Sequence, residues 1–257
     1  MKQQTDFTLK PDLLNRLVAA RQVLVLTGAG MSAECGVPTF RDAQTGMWAR
    51  YRPEDLATPE AFERHPERIW NWYEDRRKSV RQAEPHAGHL ALVRMAAMLG
   101  SVRIVTQNVD GLHQQAGSKQ VVELHGNINR SKCSVSHRPI SREWLQDSAE
   151  QPPPSPYVKH GKARPDVVWF GEVLPQEPHD EAMAAASHCA YCYSGGTTSL
   201  VQPAAGLPSL ALQNGAALVE INPVETPLSM HADQCIRGPA SGVLNTILGQ
   251  LSDQLRV

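Results

Sequence analysis

The sequence lacks the features that mark several other classes of protein. It has no uninterrupted apolar run of about 18 residues, the length that crosses a bilayer as a helix, and its polar N-terminus has no signal-peptide core. Its formal net charge of -1 argues against the basic surface that nucleic-acid binding requires. Its five cysteines are an odd number scattered along the chain, unlike a secreted disulfide framework. We therefore expect a cytoplasmic protein that binds no nucleic acid and no membrane, while its oligomeric state is left open.

Short apolar runs alternate with helical patterns along the chain. Runs typical of buried parallel strands cover residues 23–26, 102–105, 121–124 and 217–221. The clearest helical patterns cover residues 13–20, 86–99 and 204–215. This alternation predicts an α/β fold with a Rossmann-like, doubly wound parallel sheet that is covered on both faces. Ligands of such sheets bind beyond the carboxyl ends of the strands.

Two polar stretches interrupt this alternation. Residues 42–84 are rich in arginine, glutamate and aromatic residues. Residues 129–164 contain a proline-rich run at 152–156, which excludes a helix or a central strand there. We predict that both stretches form a small inserted second domain, packed over the active face of a large domain made of residues 1–41, 85–128 and 165–257.

A glycine-rich turn follows the first predicted strand. Gly28, Ala29 and Gly30 allow a tight turn and a close approach of the backbone to a phosphate, and the helix that follows offers N–H groups to an anion. A glycine pair alone is a weak signal, because the third glycine of the usual dinucleotide fingerprint is missing. The next loop adds an aromatic ring and a guanidinium beside the phosphate, from Pro38, Thr39, Phe40 and Arg41.

Six ordered motifs resemble those of the sirtuins, the NAD-dependent protein deacylases, across nearly the whole chain. They cover residues 28–41, 106–113, 123–126, 164–172, 196–198 and 220–223. The resemblance implies an enzyme that moves the acyl group of an acylated lysine side chain of a protein to ADP-ribose. NAD would be the co-substrate, nicotinamide would be released, and the large domain would be the NAD-binding one.

The resemblance also assigns a set of residues to NAD. It implies contacts from Gly28, Ala29, Gly30, Ser32, Pro38, Thr39, Phe40, Arg41, Trp48, Gln107, Asn108, Val109, Asp110, Gly196, Thr197, Thr198, Asn222, Pro223 and Ala240. Gln107, Asn108 and Asp110 follow a predicted strand, where such residues often only cap a turn, but three together favour a site. Asn108 and Asp110 are implied to be catalytic, because they would hold the nicotinamide ribose and carboxamide and expose the glycosidic bond to attack.

His125 is the predicted catalytic base. It follows the predicted strand at 121–124 and precedes Gly126. Imidazole, with an unperturbed pKa of about 6.5, accepts a proton at neutral pH. The resemblance implies a definite role in the reaction. The acyl oxygen would attack the ribose, nicotinamide would leave, and His125 would deprotonate a ribose hydroxyl that attacks the resulting imidate.

Tyr73 and Arg76 lie three residues apart in a helical pattern and therefore share a face. An arginine fork suits a carboxylate, although the surrounding charged stripe is also typical of a solvated helix. The resemblance to one sirtuin subfamily implies that this pair recognises succinyl-, malonyl- or glutaryl-lysine, so we predict desuccinylation above deacetylation. It also implies an edge-like segment that pairs with the substrate peptide, made of Val168, Trp169, Phe170, Gly171 and Glu172.

Most sirtuins carry two Cys-x-x-Cys pairs, which are a strong signature of a zinc site, in the small domain. Here only Cys133 of the four cysteines remains, with Ser136, Tyr157 and His160 at the other positions. We therefore predict a degenerate zinc module without zinc, and no other metal. A set made of Cys133, His137 and His160 is the alternative.

Two other functions fit the same scaffold. One is an ADP-ribosyltransferase or NAD hydrolase, because loss of zinc could alter how a peptide is held, although Tyr73 and Arg76 argue against it. The other is a non-catalytic sensor of NAD or ADP-ribose, against which the presence of Asn108, Asp110 and His125 counts.

Overall fold

Nine strands form two sheets in the described part of the chain, which is residues 7–37 and 51–256 of this computed structural model. In chain order they are β1 (Val23–Thr27), β2 (Val102–Thr106), β3 (Val121–Glu123), β4 (Gly126–Cys133), β5 (Pro139–Ile140), β6 (Ala163–Val167), β7 (Tyr191–Gly195), β8 (Ala217–Ile221) and β9 (Gln234–Ile236). All four strands predicted from apolar runs are confirmed as β1, β2, β3 and β8.

The main sheet is parallel and has the order β3-β2-β1-β7-β8-β9. The chain builds outward from β1 in one direction and then from β7 in the other, so the order reverses between these two strands. A crevice opens at such a reversal, beyond the carboxyl ends of the strands. The α/β, Rossmann-like prediction is confirmed.

Helices cover both faces of the main sheet. They are α1 (Pro11–Ala19), α2 (Ala29–Ala33), α3 (Pro59–Arg64), α4 (Pro66–Gln82), α5 (Ala87–Leu99), α6 (Leu112–Gln115), α7 (Arg142–Gln146), α8 (Gln176–His188), α9 (Leu207–Gln213) and α10 (Ala240–Gln254), with short 3-10 helices at Pro53–Asp55 and Ala204–Gly206. Alternate residues of a strand point to opposite faces. Val23 and Val25 therefore lie in one core with α1, α5 and α10, whereas Leu24 and Leu26 lie in another with α8 and α9.

The helices predicted at 13–20 and 86–99 are confirmed as α1 and α5. The single helix predicted at 204–215 is instead a 3-10 turn followed by α9. Pro208 explains the break, because it stands in the first turn of α9, where its missing N–H costs nothing, and it could not continue an earlier helix. No helix in the described ranges is long and apolar enough to cross a membrane.

A small antiparallel sheet has β4 at its centre, with β5 and β6 on either side. Helix α4 packs against this sheet through a core of its own, in which Trp72 and Tyr73 meet Ile128 and Val167. The proline-rich run forms neither helix nor extended sheet, only an isolated bridge from Pro154 to Lys162. Helix α4 and the segment after β6 thus bring the aromatic side chains of Tyr73 and Trp169 together beside the small sheet.

Candidate functional site

Three glycines meet where the order of the main sheet reverses. Gly28 and Gly30 follow β1, and Gly196 follows β7. A Cβ at Gly28 would lie 2.8 Å from the Gly196 carbonyl oxygen, and a Cβ at Gly30 would lie 2.7 Å from Gly196 Cα. The two turns therefore touch backbone to backbone, and a side chain at either position would push them apart. We call this the glycine contact.

The hydrogen bonds of these turns change the expectation that their N–H groups are offered to an anion. The Gly30 N–H donates to the Gly196 carbonyl oxygen at 2.8 Å, and the Gly28 N–H donates to the Gly195 carbonyl oxygen at 3.1 Å. These N–H groups hold the two turns together rather than facing a ligand, and α2 has only 5 residues. These two N–H groups would therefore not be the donors for a phosphate bound here.

Asn108 and Asp110 are joined through one hydroxyl. The Asn108 amide donates to the Gly28 carbonyl oxygen at 2.9 Å and to Ser32 Oγ at 2.8 Å, and Ser32 Oγ donates to Asp110 Oδ2 at 2.7 Å. Asp110 also accepts the Leu112 N–H, at 2.9 Å. Because Asn108 uses its NH₂ group for the protein, its carbonyl oxygen is the atom left for a ligand. Burial raises the pKa of Asp110.

His125 is held in one tautomer. Its Nδ1 lies 3.0 Å from the Gln107 carbonyl oxygen, and since a carbonyl only accepts, Nδ1 carries the hydrogen and Nε2 keeps a lone pair. Burial lowers the pKa of His125, so the ring is neutral at pH 7. A Cβ at the neighbouring Gly126 would lie 2.1 Å from the Asp166 carbonyl oxygen, so only glycine lets β4 begin this close to β6.

The turns after β7 and β8 are tied together beside the glycine contact. Asn222 Nδ2 donates to the Thr197 carbonyl oxygen at 2.7 Å, and Gln107 Nε2 donates to Thr197 Oγ1 at 3.1 Å. Thr198 and Pro223 line the same region, and Ala240 closes it at the start of α10. Thr197 therefore connects the ends of β2, β7 and β8.

Tyr73 and Arg76 share the inner face of α4, as their spacing predicts. Tyr73 is buried, its hydroxyl accepts a 2.8 Å hydrogen bond from Trp169 Nε1, and burial raises its pKa to about 12. Arg76 lies with its Cζ 5.0 Å from the Trp72 ring. Burial lowers the pKa of Arg76, so an anion beside this guanidinium would restore part of the solvation that it loses.

Residues 168–172 leave the small sheet and form a turn. The Val168 N–H donates to the His125 carbonyl oxygen at 3.0 Å, and the Phe170 N–H donates to the Ala57 carbonyl oxygen at 2.9 Å. The Phe170 side chain is 51% exposed. Gly171 has a φ of 85°. This segment thus follows β6 directly beside His125.

Glu172 has a structural partner that the sequence did not assign. Its two carboxylate oxygens accept from Arg164 at 2.6 and 2.9 Å, and one of them also accepts the Trp169 N–H at 2.8 Å. Burial opposes ionisation of Glu172, but the bonds from Arg164 outweigh it and the pKa is lowered. Arg164 also stacks 3.3 Å from the Trp169 ring. Glu172 therefore fixes Trp169 rather than presenting a free carboxylate.

Cys133 lies where the sequence places a degenerate zinc module. Its sulfur accepts the N–H groups of Val135 and Ser136, both at 3.4 Å, and the Tyr157 hydroxyl donates to the Pro139 carbonyl oxygen. Among the described residues, the one group of three His, Cys, Asp or Glu side chains that converge closely enough for a metal is elsewhere. The residues around Cys133 do not fit a tetrahedral zinc site.

All predicted site residues that the structure describes line one cleft over the glycine contact. Pro38, Thr39, Phe40, Arg41 and Trp48 lie outside the described residues. Two contributors were missed. Thr106 Oγ1 accepts the Asn108 N–H at 3.0 Å, and Arg164 holds Glu172. Both lie within the sirtuin-like motifs, but only their tertiary partners reveal what they do.

Comparisons with known proteins agree with this geometry. The Sir2 family model matches residues 28–203. The chain is 44% identical to NAD-dependent protein deacylase 1 of Pseudomonas aeruginosa, with 90% of this chain and 95% of that one covered. It is 46% identical to an NAD-dependent protein deacylase of Ralstonia nicotianae, with 90% and 92% covered.

Two solved structures extend the similarity to the fold. A Sir2 homologue in complex with NAD has a TM-score of 0.86 at 40% identity, with 96% of each chain covered. A Sir2 complex with a p53 peptide and NAD⁺ has a TM-score of 0.82 at 28% identity, with 96% of this chain and 100% of that one covered. The matched family model, the relatives and the shared fold together show that this chain belongs to the Sir2 family.

Proposed function

We propose that this protein is an NAD-dependent protein-lysine deacylase. The observation that carries the proposal is that His125, with a lone pair on Nε2, opens on the same cleft as the glycine contact, Asn108 and Asp110. The cleft volume of about 1550 Å³ exceeds the ~300–1,000 Å³ of most single-ligand pockets, as two substrates require. The curated relatives are named for this activity.

NAD would lie across the reversal point of the sheet. The pyrophosphate would lie in the cleft over the glycine contact, which Gly28, Gly30 and Gly196 line, and Thr197 with Asn222 would hold the adenosine side. The nicotinamide ribose would lie over Asn108 and Asp110. Since Asn108 is fixed by two hydrogen bonds, its carbonyl oxygen is preorganised for the ligand.

His125 would act as the base. Its Nδ1–H bond to Gln107 orients the ring so that Nε2 accepts the proton of a ribose hydroxyl. NAD supplies the electrophilic ribose carbon that the acyl oxygen attacks. With one water consumed, the products would be the free lysine, nicotinamide and O-acyl-ADP-ribose.

The acyl group would be acidic, with succinyl and malonyl favoured over acetyl. Support comes from the pair of Tyr73 and Arg76, which line the cleft from α4. Trp169 donates its indole N–H to the Tyr73 oxygen, so the hydroxyl hydrogen of Tyr73 is free to point toward an acceptor. A carboxylate at the end of the acyl chain would accept from this phenol and from the Arg76 fork.

Arg76→Met tests this preference, with Arg81→Met as the matched control because Arg81 is exposed on the same helix. Loss of a hydrogen bond to a charged group costs about 1.5–3 kcal/mol. We expect kcat/KM for a succinyl-lysine peptide to fall about 10- to 100-fold in Arg76→Met, while kcat/KM for an acetyl-lysine peptide stays near wild type. Equal or better turnover of the acetyl peptide by the wild type would contradict the preference.

His125→Ala tests the catalytic assignment, with His188→Ala as the control because His188 is exposed at the end of α8. We expect His125→Ala to lose turnover and to keep its affinity for NAD, measured by calorimetry. Full activity in His125→Ala would exclude it as the base.

The small sheet would fold without zinc. The N–H groups of Val135 and Ser136 already hold the Cys133 sulfur, which gives this turn an internal partner in place of an ion. Metal analysis of purified wild type and Cys133→Ser tests this, because a zinc content that disappears with Cys133 would contradict it. A cytoplasmic location stays a prediction from the sequence.

A further inference from the structure

Three side chains of metal-binding type lie beside the turn that follows α2. Cys35, His86 and His89 each place a ligand atom within 4.8 Å of the others. None of the three is among the residues that line the cleft proposed for NAD and acyl-lysine. Thiolate and imidazole are the ligands that Zn²⁺ and neighbouring transition metals prefer in proteins.

His89 has no other use for its ring nitrogens. It is fully buried, and neither nitrogen has a hydrogen-bond partner among the described residues. Its ring lies between those of His86 and His113, at centroid distances of 4.3 and 4.8 Å. Burial, together with these two rings, lowers the pKa of His89 to about 3, so a lone pair is present at neutral pH. Buried polar atoms without partners are uncommon in native proteins and call for a ligand or an ion.

His86 is held in the tautomer that a metal ligand needs. Its Nε2 lies 2.8 Å from the Met31 carbonyl oxygen, so Nε2 carries the hydrogen and Nδ1 keeps the lone pair, which now accepts the Gly88 N–H at 2.9 Å. Metal-binding histidines commonly donate their other N–H to a backbone carbonyl in this way. An ion would replace the Gly88 N–H at Nδ1.

Cys35 is the ligand that can move. It is half-buried, and its N–H donates to the Ser32 carbonyl oxygen at 3.0 Å, in the turn after α2. Around one Zn²⁺, ligand atoms at about 2.0–2.3 Å from the ion lie less than 4.8 Å apart, so the three ligand atoms, which lie within 4.8 Å of one another, must contract by up to roughly 1 Å. The exposed edge of this turn allows that movement, whereas His89 is fixed in the core.

We propose that Cys35, His86 and His89 bind one Zn²⁺ ion, and that the bound ion slows NAD turnover. Binding releases the thiol proton of Cys35 to solvent. It draws the turn toward α5 and so displaces Ser32, which joins Asn108 to Asp110. The metal site itself does not depend on the proposed reaction, because binding is measured without substrate.

Cobalt reports directly on such a site, because a cysteine thiolate bound to Co²⁺ gives a charge-transfer band in the near ultraviolet. Chelator-treated full-length protein is titrated with Co²⁺ and then with Zn²⁺, which displaces it. The variants are Cys35→Ser and His89→Gln, and the matched control is Cys133→Ser. Thermal melts in chelator check that each variant is folded.

We expect one equivalent with a thiolate band in wild type and Cys133→Ser, and no band with at least tenfold weaker binding in Cys35→Ser. His89→Gln should also bind at least tenfold more weakly. Zn²⁺ should slow turnover of wild type but not of Cys35→Ser, which keeps the basal rate. A band unchanged in Cys35→Ser, or lost only in Cys133→Ser, would overturn the site. Inhibition that persists in Cys35→Ser would overturn the coupling to turnover.

Discussion

The glycine contact predicts opposite effects for the same substitution at two positions. Gly30→Ala places a Cβ 2.7 Å from Gly196 Cα and 3.0 Å from the Gly196 carbonyl oxygen. Carbon atoms in contact prefer about 3.5–4.0 Å, so the turns after β1 and β7 must separate by about 1 Å. Both are backbone atoms in hydrogen-bonded turns and cannot rotate away. Gly249→Ala is the control, because nothing lies within 4 Å of a Cβ there and the site is exposed inside α10.

Overpacking of this kind costs about 1–3 kcal/mol, whereas glycine to alanine inside an exposed helix gains about 0.5–1 kcal/mol. We therefore expect Gly30→Ala to lower the free energy of unfolding by about 1–3 kcal/mol and Gly249→Ala to raise it, both measured by urea denaturation. NAD affinity should fall in Gly30→Ala alone. A Gly30→Ala protein as stable as wild type, with unchanged NAD affinity, would refute the role of the glycine contact.

Three other perturbations test the polar groups of the site and the small sheet. Ser32→Ala removes the hydroxyl between Asn108 and Asp110, and leaving such buried groups unpaired costs about 1–3 kcal/mol. We therefore expect kcat/KM to fall about 10- to 100-fold. An unchanged value would show that this hydroxyl is dispensable. Burial lowers the pKa of His125, and the neutral ring is the base. We therefore expect kcat/KM to stay constant from pH 8 down to about the usual histidine pKa of ~6.5 and to fall only below that pH. A decline centred above it would contradict His125 as the base. Dialysis of the Cys35→Ser variant against a chelator should leave its melting temperature unchanged, since the Cys133 sulfur has backbone partners, and unfolding without metal would mean that the small sheet needs zinc.

The main sheet was predictable where burial on both faces leaves a continuous apolar run. β1 and β8 are fully buried along their length, and their sequences are rich in valine, leucine and isoleucine. β9 was missed because it has three residues, Gln234–Ile236, and such a short segment carries no period. Helix α9 was misjudged because a sequence pattern does not show that the turn before Pro208 is tighter than an α-helix.

The sequence predicts which residues gather at the cleft but not which contacts they make there. Asn108, Asp110 and His125 could be placed at strand ends from the sequence, and all line the cleft. The pairing of Arg164 with Glu172 depends on how the turn after β6 folds back, so the sequence does not predict it. The use of the Gly30 N–H by Gly196 depends on a strand more than 150 residues away in the chain. Neither is encoded in local spacing.

The most direct measurement is the mass of the products when the protein is mixed with NAD and acetyl- or succinyl-lysine peptides. We predict that the peptide loses its acyl group while nicotinamide and an acylated ADP-ribose appear, faster with succinyl than with acetyl, and not at all with His125→Ala. NAD loss with unchanged peptide would indicate a hydrolase, and a mass gain on protein would indicate ADP-ribosylation. An unchanged mixture would indicate a sensor. Any of these three results would contradict deacylation.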